Sequence, residues 1–113
     1  MQYVYHEPAE YTFENVNGHS GKVLSTSRPT TEHLIITCDK ELTVSLIQHE
    51  SEFNYYILEG TGFFAFDDAK QDVQAGDLVV IPPNTKYTFA GKLKMLLINT
   101  PHWSKEQEEI IAK

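Results

Sequence analysis

Apolar residues in this chain come in short runs, each closed by a turn signal. Tyr55-Tyr56-Ile57-Leu58-Glu59 runs into Gly60-Thr61-Gly62, and Leu78-Val79-Val80-Ile81 runs into Pro82-Pro83-Asn84-Thr85. The pattern predicts strands over residues 22–27, 33–37, 42–49, 53–59, 63–66, 78–81, 86–89 and 93–99, rich in β-branched and aromatic residues. Further turns are expected at Asn17-Gly18 and Gly21, and over 38–41, 67–70 and 90–92. Evenly spaced short strands with no helical period before residue 104 read as an all-β sandwich or barrel. The tail changes character. Ser104-Lys105-Glu106-Gln107 has the form of a capping box, so a short C-terminal helix is expected, with Ile110 and Ile111 docked on the barrel. A helix that short is marginal alone and must pack. Trp103 is expected to anchor this tail against the sheet.

Length and composition narrow the class. At 113 residues, 41% hydrophobic and 12% aromatic, residues 1–113 are expected to form one globular domain. A lone cysteine, Cys38, allows no internal disulfide, which fits a reducing, cytoplasmic setting; it reads as a small apolar residue at a strand end. The first residues lack a basic stretch followed by a long apolar one, and no apolar run is long enough to span a membrane. The net charge of −7, with Arg28 the single arginine, argues against a nucleic-acid partner. Lys86, Lys92 and Lys94 gather near one hairpin and read as a solvated strand edge.

Residues 42–99 resemble the conserved barrel of the cupin family, which implies a jelly-roll β-barrel. Two motifs carry the resemblance. Gly76 and Pro82 have the separation of the second motif, with Asn84 in place of its turn glycine and Tyr87 in place of its histidine. Asn tolerates the left-handed backbone that such a turn needs. In the first motif Gly60 is the anchor. Counting back seven places Phe53 at the family's glutamate; counting back four more places His49 at its second histidine and Ile47 at its first. One of four metal-ligand positions is then kept. A lone imidazole cannot hold a divalent ion that needs several nitrogen and oxygen ligands. No metal and no cofactor are therefore expected. Strand alternation puts Glu50 and Glu52 on the opposite face from His49, so they offer no substitute.

His33 is the remaining candidate. Pairing Thr37 with Thr43 across the turn at 38–41 would place His33 opposite Ile47 and diagonal to His49; pairing Thr37 with Leu42 would shift it to Leu46. The expected pocket is lined by His33, His49, Phe53, Tyr55 and Tyr87, with both His49 and Tyr87 facing inward. Such a wall suits a small molecule that stacks on aromatics, although the same rings would equally fill a closed barrel. The expected function is metal-free small-molecule binding. The alternatives are a sugar-type isomerase or epimerase with His49 as base and Tyr87 as acid, a divalent-metal cupin with non-standard ligands, and a sensor module. Whether the chain is an enzyme stays open at this level. The runs at 53–58 and 78–81 are apolar on both faces, which predicts a homodimer.

Overall fold

The structure is a computed structural model and describes residues 2–25 and 30–113. Arg28 and the end of the strand expected over 22–27 lie outside the described residues. The chain forms strands β1 (Phe13–Val16), β2 (His19–Val23), β3 (Glu32–Cys38), β4 (Val44–Gln48), β5 (Glu52–Phe66), β6 (Lys70–Gln74), β7 (Leu78–Ile81), β8 (Tyr87–Thr100) and β9 (Glu108–Ala112). They make one curled, antiparallel sheet in the order β1-β2-β3-β8-β4-β9, with β5 pairing β6, β7 and β8. This is the all-β barrel expected from the strand spacing, in the arrangement that the resemblance implies.

Two expected turns are instead the bend of the barrel. Gly60-Thr61-Gly62 and Ala90-Gly91-Lys92 do not reverse the chain. They face each other inside the long strands β5 and β8, with Gly60 opposite Leu93, Thr61 opposite Lys92 and Gly62 opposite Gly91. A Cβ on Gly60 would lie 1.8 Å from the Lys92 carbonyl oxygen, and its φ is +95°. The strands can cross this closely only where side chains are missing. Glycine at these positions therefore marks a barrel corner. β1, β6 and β9 are polar on much of their surface and give little periodic signal.

The expected C-terminal helix is also corrected. Ser104 makes no side-chain cap, and the only helical turn among the described residues is a 3₁₀ turn over Lys105–Gln107. The chain then extends as β9 along the free edge of β4, from Gln48 opposite Glu108 to Val44 opposite Ala112. Gln107, the presumed capping partner, turns inward. Its Oε1 accepts from the backbone N–H of Glu50 and Ser51, and its Nε2 donates to Ser51 Oγ. An open strand edge offers a full row of backbone hydrogen bonds, which outweighs a one-turn helix with no apolar face to bury.

The core sits beside the corner. Ile57, Phe64, Phe89 and Met95 are fully buried, and Phe64, Phe89 and Tyr55 pack ring to ring with centroids 5.0 to 5.5 Å apart. No helix among the described residues is long and apolar enough to cross a membrane.

Candidate functional site

At the other end the strands splay around a cavity of about 520 Å³. Its floor and walls are apolar: Leu34 and Ile36 from β3, Leu46 from β4, Phe53 and Tyr55 from β5, and Tyr87 and Leu97 from β8. Each of these residues shares the inward parity of its strand.

Three polar pairs punctuate the wall. In the first, Glu32 and Asn99 stand directly opposite each other across β3 and β8. Asn99 Nδ2 donates to Glu32 Oε1 at 3.1 Å, while His102 Nε2 lies 3.1 Å from the other carboxylate oxygen. In the second, Gln48 and Glu108 stand opposite each other across β4 and β9. Glu108 Oε2 accepts from Gln48 Nε2 at 2.7 Å and from the Trp103 indole N–H at 3.3 Å. Trp103 thus stands at the cavity wall with its indole N–H on a carboxylate of β9. The third pair is Tyr55 and Tyr87, whose hydroxyls are 3.0 Å apart and buried.

Burial governs the charge states here. It pushes both tyrosine hydroxyls above the usual phenol range, and for Tyr87 the hydrogen bond with Tyr55 offsets this only in part. Both phenols therefore stay protonated near neutral pH. His19 also lines the cavity, edge-on to Phe13 and Phe89. Burial lowers its pKa below the ordinary histidine value, against opposing contributions from the Val16 backbone and Glu108, so its ring is neutral.

Of the five residues expected to line the pocket, Phe53, Tyr55 and Tyr87 do and the two histidines do not. The inward-facing members of β4 are Val44, Leu46 and Gln48, one residue out of step with Ile47 and His49. His49 begins the turn into β5 and faces solvent. Its Nδ1 lies 2.7 Å from Asn84 Oδ1 and its Nε2 lies 2.9 Å from Glu109 Oε1. Two acceptors on one ring favour the imidazolium, and the pKa is raised, first by Asn84 and then by Glu109. His33 is on the outer face of β3, bonded to Ser25 Oγ through both its Nδ1 and its backbone N–H. The expected β3–β4 hairpin pairing does not occur; β3 pairs with β2 and β8.

Asn84 does adopt the left-handed conformation expected of it, with φ +65°. Cys38 donates its thiol to the Gly91 carbonyl, and burial pushes its pKa up to about 11, which leaves it unreactive.

The wall does not suit the family's metal. The inward positions around the motif are Leu46, Gln48, Phe53 and Tyr87, none of them an imidazole or a carboxylate. Among the described residues no three His, Cys, Asp or Glu side chains converge as ligands.

Comparison with known proteins agrees with the architecture. Residues 35–109 match the family model of the cupin domain. The chain belongs to the cupin family. An uncharacterized protein of Methanocaldococcus jannaschii is 39% identical over 67 residues, and the match takes in 56% of this chain and 54% of that protein. The chain thus spans about half the length of that curated relative. Among solved structures, the nucleoside dehydratase Pac13 of Streptomyces superposes with a TM-score of 0.90 over 99% of this chain and 92% of that one, at 22% identity. A Tyr-to-Phe variant of Pac13 with uridine gives the same TM-score at 23% identity and the same coverage. KdgF of Halomonas gives 0.72 at 15% identity, over 86% of this chain and 90% of that one.

Proposed function

We propose that the barrel cavity is a small-molecule site for a ring-bearing, hydroxylated compound of nucleoside or sugar size, bound without a metal. The observation that carries this reading is the cavity itself. About 520 Å³ of space lies behind aromatic walls, with three polar pairs at set places. That volume and that mix of apolar wall and sparse polar groups are usual for small-ligand sites. The close superposition on a dehydratase of nucleosides supports the same reading.

A second reading adds acid–base catalysis, and Glu108 favours it. Glu108 is held by Gln48 and Trp103 at the cavity wall, and its charge is felt by both tyrosines. It would act as base while a protonated tyrosine hydroxyl served as acid. His49 has no part in this, because it lies outside the cavity.

The test is a titration with uridine and with free pentoses, followed by melting temperature. Binding at 100 times Kd would stabilise by about 2.7 kcal/mol, a shift of several degrees. Tyr55→Phe should weaken that shift and keep the fold. Absence of any shift with all of these compounds would reject the site. Mass spectrometry of the same mixtures reads turnover, and Glu108→Gln should abolish it while binding persists.

A further inference from the structure

The hydrogen-bond inventory of the cavity wall is lopsided. The wall carries two carboxylates, Glu32 and Glu108. A carboxylate only accepts, and two oxygens offer about four lone-pair sites. Four side-chain N–H groups nearby are already turned toward them. Asn99 Nδ2 and His102 Nε2 serve Glu32, and Gln48 Nε2 and Trp103 Nε1 serve Glu108. Because both amides aim their nitrogens at a carboxylate, their oxygens face elsewhere. Asn99 Oδ1 and Gln48 Oε1 are buried with no protein partner, and so is His19 Nδ1. Of the two tyrosine hydroxyl protons, one is spent in the Tyr55–Tyr87 bond. The buried polar atoms left without a partner on this wall are thus two amide oxygens, which can only accept, and one imidazole nitrogen.

Charge points the same way. Among the described residues that line the cavity there is no lysine or arginine. His102 is engaged with Glu32. An anion placed here would face two carboxylates across an apolar space, where repulsion is weakly screened.

We propose that this cavity selects ligands that bring hydrogen-bond donors and carry no negative charge: an unphosphorylated polyol, nucleoside or amine. The inference rests on the small-molecule reading above and narrows its substrate class. It separates this chain from a site for sugar phosphates, which would need cationic or N–H donors on the wall.

Matched pairs test it on the whole chain. Calorimetry would compare uridine with uridine 5′-monophosphate, and ribose with ribose 5-phosphate. In each pair the unphosphorylated member should bind roughly a hundredfold or more tightly, since like-charge juxtaposition costs several kcal/mol and each 1.4 kcal/mol is tenfold. Glu32→Gln together with Glu108→Gln should shrink that ratio, because the repulsion goes while the side-chain volume stays. Phosphate esters binding as well as their parents would overturn the proposal and leave the small-molecule site standing. If no member of either pair bound, both readings would fall together.

Discussion

Tyr55 and Tyr56 are neighbours on one strand and live in opposite surroundings. Tyr55 is 3% exposed, with its ring against Phe53, Phe64, Phe89 and Tyr87 and its hydroxyl in the cavity wall. Tyr56 is 41% exposed on the outer face, opposite Leu78 and Leu96. The same division recurs three times. Glu32 faces in and His33 faces out; Gln48 faces in and His49 faces out; Glu108 faces in and Glu109 faces out. In each case the strand's pleat, and not the chemistry of the side chain, decides which residue reaches the cavity. His33 and His49 are the obvious candidates for a site, yet on these strands amides, carboxylates and phenols hold the inner positions, and the imidazoles that do line the cavity are His19 and His102.

The sharpest way to break this comparison is to truncate each tyrosine. Tyr55→Ala should cost about 3–5 kcal/mol, as deletion of a large buried ring does. Tyr56→Ala should cost under about 1 kcal/mol in the isolated protomer. Equal losses in denaturant unfolding would show that the two faces are not distinct.

A smaller effect concerns the outer face. Tyr56, Leu58, Leu78 and Val80 are between 38% and 59% exposed on adjacent strands. β7 pairs with β5 on one side only. We propose that a second copy of this chain covers that face, because an exposed apolar patch beside an open strand edge fits a twofold contact. Light scattering should then give a dimer mass, and Leu78→Glu with Val80→Glu should return it to the monomer with little change in the cavity. A monomer mass for the unaltered chain at high concentration would refute it.

The smallest effect is the His49–Glu109 pair. Both groups are exposed, so little stability is at stake. The His49 pKa is raised in the folded state. Its contribution is therefore complete below the unfolded value near 6.5 and fades as pH rises through the folded value. Glu109→Gln should move the His49 titration to lower pH by NMR and leave uridine binding unchanged. A change in uridine binding would mean that the outer face reaches the cavity after all.

Much of the architecture was legible in the chain itself. Strand composition and turn residues specify an all-β barrel, the Gly60, Gly76 and Pro82 spacing carries the resemblance to cupins, and Asn84 takes the backbone its side chain permits. These features are local, so residues close in sequence suffice to express them. What sequence could not settle was parity and partnership. Val44-Ser45-Leu46-Ile47-Gln48 mixes apolar and polar residues in both registers, and counting back from Gly60 put Ile47 and His49 inward, one residue out of step. The polar Ser45 at the outward position was the one local sign of the right choice. The cavity depends on pairs far apart in the chain: Glu32 with Asn99, Gln48 with Glu108, Tyr55 with Tyr87. The tail became a strand because the edge of β4 was there to receive it. Such contacts depend on which strands the closed sheet sets side by side, and only the tertiary structure decides that.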